Sequence, residues 1–148
     1  MGDRWSSRPR YRTRLMLGVG SWLIGLVAYR QALARYFGET PGSGDWIAVL
    51  FYSALWQFVL VRFGFWPLFL WLGARITGAR QFLQFLLNPI LGALVGLLPT
   101  LLVARVMVPS DKGLVAPEGL LFVILFACAG AAWGLGYAFL RTGQAGIQ

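Results

Sequence analysis

Arg62 is a cation inside a run of apolar residues. Residues 59–71 contain no other charged side chain. In lipid, a guanidinium there can reach headgroup phosphates, pair with an anion, or donate to backbone carbonyls near a helix irregularity, which we expect at Gly64 and Pro67. If the helix enters the membrane at Trp46, Arg62 lies about 24 Å along a path of roughly 30 Å, nearer the cytoplasmic surface. Snorkelling to headgroup phosphates is the favoured interpretation, and the functional alternative keeps Arg62 as a candidate ligand for an anion or lipid headgroup.

Two further arginines, Arg75 and Arg80, lie between aromatic stretches. Residues 66–74 and 82–87 supply more apolar sequence than two spans of about twenty residues need. They either project beyond the lipid as a helical hairpin or lie in the interface with both arginines toward anionic phosphates. An apolar projection outside lipid needs cover, which predicts a docking surface, whereas a belt of Trp and Phe at the interface is the alternative. The predicted docking residues are Trp66, Phe69, Trp71, Phe82 and Phe85.

Small residues recur at three- or four-residue spacing in three predicted helices. This spacing places them on one face of a helix and lets two backbones approach closely in lipid. We interpret them as helix-packing positions within this chain, with contact to partner subunits or to a flat cofactor such as a quinone, carotenoid or chlorophyll as the alternative. These residues are Gly18, Ser21 and Gly25, then Gly92 and Gly96, and finally Gly130, Gly134 and Ala138.

The remaining reactive side chains disfavour catalysis. The chain has no histidine, which most haem sites, catalytic zinc sites and many proton relays require. The single cysteine, Cys128, has no basic neighbour that would favour its thiolate. All five acids fall in predicted loops or tails, whereas a coupled transporter ordinarily keeps one in its membrane core. We therefore predict no enzymatic activity, no metal, no cofactor and no nucleic-acid partner, while a bound lipid, quinone or pigment remains open.

The elements that position these residues are predicted to be membrane-spanning helices. Of 148 residues, 58% are hydrophobic, 16% aromatic and only 12% charged, which is more apolar surface than a water-soluble core of this size can bury. We predict an all-α integral membrane protein with a basic tail over residues 1–14, one four-helix domain over 15–140 and a short tail over 141–148. The predicted spans are about 15–37, 46–65 extending towards 74, 89–108 and 119–140.

Two prolines and the distribution of basic residues refine this prediction. Asn88 and Pro89 have the pattern of an N-cap followed by proline at the first helical position, so we predict that the third helix begins there. We expect Pro99 to kink that helix. Lys and Arg are more numerous in the two tails and the central connection than in the other two connections. The positive-inside rule then predicts that both termini are cytoplasmic, in a bacterial inner membrane or an equivalent energy-transducing membrane.

These features together favour a protein that binds rather than reacts. Packing faces, an aromatic surface and a basic tail, without an evident catalytic group, predict a non-catalytic accessory, structural or assembly subunit of a larger integral-membrane complex. Its partners would be other integral-membrane subunits and anionic lipids at the cytoplasmic face. The alternative is a small oligomeric transporter or channel for anions or lipid-linked phosphates that uses Arg62, in which case we expect a homo-oligomer.

Overall fold

A computed structural model describes residues 11–38, 42–75, 81–107 and 117–145. Within these ranges every residue is helical except Gly38, Gly42 and Leu97. The all-helical architecture predicted from composition is therefore confirmed for this part of the chain. Arg80 lies outside the described residues, and so does the side chain of Phe82.

The first helix, α1, spans Tyr11–Ala32 and continues as a π-helical turn over Leu33–Phe37. It already includes residues 11–14, which were assigned to the basic tail. Gly38 follows the π-helical turn with φ 64°, in the left-handed region. Only glycine adopts this conformation without a steric cost, so Gly38 is a suitable residue to end the helix.

The second helical segment consists of α2, Ser43–Val59, a π-helical turn over Leu60–Phe65, and α3, Trp66–Arg75. At its start, the Asp45 carboxylate accepts a hydrogen bond of 3.2 Å from the Gly42 N–H. At the π-helical turn, the Trp66 N–H donates to the carbonyl of Val61, five residues back. Proline has no N–H, so this local change of hydrogen bonding lets the helix continue through Pro67. The second segment is thus one continuous helix from residue 43 to residue 75.

The third helical segment begins earlier than predicted. Helix α4 spans Gln81–Gly96 and contains Pro89 in its interior, so the prediction that Asn88 caps the start of a helix at Pro89 is wrong. Proline inside a membrane helix is tolerated because neighbouring groups satisfy the freed carbonyl. Helix α5, Leu98–Met107, follows after Leu97. The Leu97 N–H is shared between the carbonyls of Ala93 and Leu94, so the helix changes its hydrogen bonding just before Pro99.

The last helix, α6, spans Pro117–Ala145 and packs along both α1 and α4. Three helical stretches in the described part of the chain are long and apolar enough to cross a membrane, namely Gly44–Leu72, Leu83–Val106 and Gly119–Leu140. The protein is therefore a multi-pass membrane protein.

Glycines lie where α6 approaches its two neighbours. A Cβ added to Gly92 or Gly130 would collide with the backbone carbonyl of the other residue, and one on Gly96 would collide with the carbonyl of Phe126. A Cβ on Gly25 would lie 2.6 Å from the Leu125 carbonyl, so α1 is also close to α6. The contacts run in opposite chain directions, because Gly92 faces Gly130 whereas Gly96 faces the earlier Phe126. Helix α6 is therefore antiparallel to α4.

Aromatic side chains join the second helical segment to α6. The Phe65 ring stacks on Trp133 with centroids 5.8 Å apart, and the Phe69 ring stacks on Tyr137 at 5.5 Å. Phe65, Phe69 and Trp133 are fully buried. Large rings thus fill the space between helices here, whereas glycines bring α4 and α6 into backbone contact. The second segment is held by side-chain packing, and its α2 part leaves room beside α1.

Candidate functional site

A groove of about 560 Å³ lies between α1 and the second helical segment. It carries two arginines and one amide among mostly apolar side chains. On the α1 side it is lined by Arg14, Leu15, Gly18, Val19 and Trp22, and on the facing side by Ala54, Gln57, Phe58, Val61, Arg62 and Trp66.

Hydrogen bonds between side chains set the register of the two walls. The Trp22 Nε1–H donates to Ser53 Oγ at 3.0 Å, and Gln57 Nε2 donates to Ser21 Oγ at 3.0 Å. The Ser21 hydroxyl in turn donates to the carbonyl of Gly18 at 2.9 Å. Interhelical bonds of this kind replace the hydrogen bonds that lipid cannot offer. They hold the walls antiparallel, with Trp22 opposite Ser53.

Gln57 is the most polar uncharged residue of the groove. It is 5% exposed, and its Oε1 has no hydrogen-bond partner among the described residues. An unpaired buried carbonyl costs roughly 1–3 kcal/mol of folding stability. A glutamine at this position of an apolar helix is therefore less stabilising than an apolar side chain of similar size would be. Buried polar groups of this kind inside a membrane mark candidate functional positions.

The positive charges lie at one end of the groove. Arg14 places its Cζ 3.6 Å from the centroid of the Trp66 ring. Arg62 lines the groove from the π-helical turn and is exposed. It is four residues from Trp66, or about 6 Å along a helix. We call the Arg14, Arg62 and Trp66 end the cationic end. No Asp or Glu is among the described residues that line the groove.

Arg75, another predicted anion ligand, does not line this groove. Arg75 is exposed, and its Cζ lies 4.4 Å from the Trp71 ring of the same helix. A contact between neighbours on one helix surface gives Arg75 a local partner but does not build a pocket. Arg62 is therefore the one predicted anion ligand among the described residues that lines the groove. Arg14, which was not predicted, lines it as well, and Arg80 lies outside the described residues.

The predicted docking residues divide into buried and exposed side chains. Phe69 is fully buried against Phe65 and Tyr137, so it is not available to a partner. Trp66 is half-buried beneath Arg14, with its ring edge-to-face against Tyr137. Trp71 is 53% exposed. Phe85 is half-buried and packs edge-to-face on Phe139 at 5.1 Å, while the Phe82 side chain lies outside the described residues.

The predicted helix-packing residues are all buried in the structure. Gly134 lies where an added Cβ would collide with the Asn88 carbonyl, and Ala138 is fully buried. At Gly18 an added Cβ would make ordinary contacts of 3.6 Å to Trp133 and 3.7 Å to Val61. Ser21 has a second use, because its hydroxyl bonds to Gln57. The small residues thus serve close backbone approach at α6 and polar contact on α1.

Sequence reasoning missed two residues of the site. Arg14 was counted with the tail because arginines precede it, yet it lies one helical turn before Gly18. Gln57 is harder to predict because a neutral amide in an apolar run is a weaker signal than a charge. A signal was present, since Ser53 and Gln57 are four residues apart and share one helix face.

Among the described residues, no three His, Cys, Asp or Glu side chains lie close enough together to hold a metal ion. Comparisons of the chain with known protein families, with curated proteins and with solved structures gave no match. Its function is therefore inferred from its own residues.

Proposed function

We propose that this chain is a non-catalytic accessory or assembly subunit of a larger integral-membrane complex. The observation that supports this role is a set of exposed aromatic and aliphatic side chains at the end of the bundle where α3 ends and α4 begins. Residues 43–75 form roughly 50 Å of helix, whereas the hydrocarbon core is about 30 Å thick. Apolar side chains exposed outside lipid need cover from a partner. The exposed apolar side chains at this end include Leu70, Trp71, Leu83, Leu86 and Phe139, and in this proposal they lie beyond the hydrocarbon core.

In this proposal the chain crosses the membrane four times with both termini in the cytoplasm. Three apolar stretches and the position of α1 beside α6 support four crossings, because residues 11–37 are long enough to span. The excess of Lys and Arg at the termini supports the orientation and a bacterial inner membrane or an equivalent energy-transducing membrane. The extended end of α3 and α4 is then cytoplasmic.

Cysteine labelling tests the orientation. In a Cys128→Ser background, single cysteines at positions 40 and 112 are expected to react with an impermeant thiol reagent added from the non-cytoplasmic side. A cysteine at position 5 should react only after the membrane is opened. Labelling at position 5 in sealed cells would contradict the orientation.

The docking role predicts that Trp71→Ala combined with Phe82→Ala releases the protein from its complex. Large aromatic anchors of an interface cost 2 kcal/mol or more on truncation, about a thirtyfold loss of affinity. The measurement is co-purification in mild detergent, with subunits identified by mass spectrometry. Phe51→Ala is the matched control, since Phe51 is 74% exposed on α2 but lies about 30 Å of helix before Trp71, and it should leave the complex intact. Retention of every partner by the double variant would reject the docking surface.

A second candidate function, an oligomeric transporter or channel for anions or lipid-linked phosphates, is favoured by the groove. Arg14 and Arg62 provide positive charge at one end of the mostly apolar groove, and transport of an anion through a membrane requires such a charge. The same purification separates the two functions. Heterologous subunits in fixed ratio support the accessory role, whereas a homo-oligomer without other subunits supports the carrier.

A further inference from the structure

We propose that the groove between α1 and the second helical segment is a binding site for one anionic phospholipid of the surrounding bilayer. The phosphate would lie at the cationic end beside Arg14 and Arg62, and one acyl chain would follow the apolar walls toward Trp22. This inference needs neither the accessory role nor the carrier role. A subunit of either kind can hold a structural lipid.

The groove faces the hydrocarbon phase and must be filled from it. Leu15, Val19 and Phe58 line it and are also among the exposed apolar side chains of the chain. Away from the cationic end, water inside such a groove would find few hydrogen-bond partners, because the lining side chains there are mostly apolar and the Gln57 amide is the main polar group among them. An acyl chain restores the van der Waals contacts that an empty groove of about 560 Å³ would lose.

The dimensions fit one leaflet. From Arg14 to Trp22, α1 rises about 12 Å, and half of a hydrocarbon core of roughly 30 Å is about 15 Å. When Arg14 is at headgroup depth, Trp22 therefore lies near the middle of the bilayer. Gln57 is five residues from Arg62, or about 7.5 Å deeper, and its side chain bonds to Ser21 beside Trp22, so its amide lies at the depth of the acyl chains. The charged end of the groove thus matches the headgroup, and the walls from there to Trp22 match the length of an acyl chain in one leaflet, with the Gln57 amide among them.

The charge selects an anionic headgroup over a zwitterionic one. Arg14 is held over the Trp66 ring and Arg62 extends from the neighbouring π-helical turn, so two positive charges face one end of the groove. A choline or ethanolamine headgroup brings its own cation to that end, whereas phosphatidylglycerol brings only negative charge. Each Lys or Arg near an anionic lipid surface contributes about 1 kcal/mol of attraction, which is about fivefold in affinity.

Native mass spectrometry of the full chain, delipidated in detergent and titrated with defined lipids, tests this site. Dioleoylphosphatidylglycerol should bind with one preferred copy per chain and more tightly than dioleoylphosphatidylcholine. Arg14→Gln and Arg62→Gln should each weaken phosphatidylglycerol about fivefold and bring the two lipids closer in affinity. Arg75→Gln is the matched control, because Arg75 is exposed but lies on Trp71 outside the groove, and it should change nothing. Equal losses in all three variants would show diffuse surface attraction and overturn the site.

A steric pair tests the acyl chain. Ala54 lines the groove and is exposed, whereas Ala48 is exposed on the same helix away from it. Ala54→Phe should fill the groove and remove the preferred lipid copy, and Ala48→Phe should not. Circular dichroism checks that each variant is folded, and the arginine variants decide the question if Ala54→Phe is not. Equal binding by both alanine variants overturns the proposal, as does inorganic phosphate that displaces the lipid at millimolar concentration, since it would show a site for the free anion.

Discussion

Alanine at Gly92 or Gly130 is expected to destabilise the folded chain by roughly 3 kcal/mol, because the added methyl group has no space between α4 and α6. At each glycine a Cβ would collide with the carbonyl of the other, which is backbone and cannot rotate away. The helices would have to separate, and every contact along their interface would loosen. Lipid gives helices no hydrophobic drive to stay together, so close packing carries most of the association.

Gly20 provides the matched control for this experiment. It also lies inside a helix, but an added Cβ would meet nothing within 4 Å. Gly20→Ala should therefore stabilise the chain slightly, by up to about 1 kcal/mol, because alanine is the better helix former. The stability changes of Gly20→Ala and Gly92→Ala should have opposite signs because only Gly92 lies where another helix leaves no space for a Cβ.

Titration of detergent-solubilised protein with sodium dodecyl sulfate, followed by circular dichroism, measures these changes. The double variant of Gly92 and Gly130 should lose less than the sum of the single losses, since either methyl group alone already separates the helices. A loss at Gly92 no larger than the change at Gly20 would contradict the close approach of α4 and α6.

The fold class followed from composition because lipid leaves few solutions to the chain. A polypeptide this apolar must satisfy its backbone hydrogen bonds internally, and helices do so within one segment. The glycine spacing in α4 and α6 was visible for the same reason, since close packing in lipid depends on small residues at helical spacing. Which helices meet was not visible, because every helix in such a bundle has more than one neighbour.

The start of α4 was missed because a local signal was given more weight than its surroundings. Asn followed by Pro favours a helix start in water, where an interior proline costs about 3 kcal/mol. In the structure Asn88 is buried at α6, with its backbone carbonyl close to Gly134. Packing against a partner helix overrides the local preference here.

The groove could be predicted only in part. Arg62 stood out because a charge in an apolar run is rare. That Arg14 lines the same groove could not be predicted, since the two residues are far apart in sequence and come to one groove only when α1 and the second segment lie antiparallel. The burial of Phe69 was hidden for a similar reason, because an aromatic residue on a helix gives no sign of whether lipid, a partner or α6 covers it.

The aromatic core between the second segment and α6 leads to the other large effect. Trp133 is fully buried, stacks on Phe65 at 5.8 Å and lies close to the α1 backbone at Gly18. Trp133→Ala removes the largest side chain of this core and leaves a cavity beside the Phe65 ring. Such truncations cost roughly 3–5 kcal/mol. The second segment should loosen most, because it relies on side chains rather than close backbone contact.

The indole nitrogen makes this prediction more specific. Trp133 Nε1 has no hydrogen-bond partner among the described residues, and a buried unpaired donor costs roughly 1–3 kcal/mol. Trp133→Phe keeps a ring against Phe65 and removes that cost, so it should lose less than half as much stability as Trp133→Ala. Trp71→Ala, at a tryptophan that is 53% exposed, should change stability by less than about 1 kcal/mol. The same detergent titration measures all three variants. If Trp133→Phe is as destabilising as Trp133→Ala, then the indole nitrogen has a hydrogen-bond partner, such as a bound water or lipid. That result would contradict the prediction that Trp133 stabilises this core by ring packing alone.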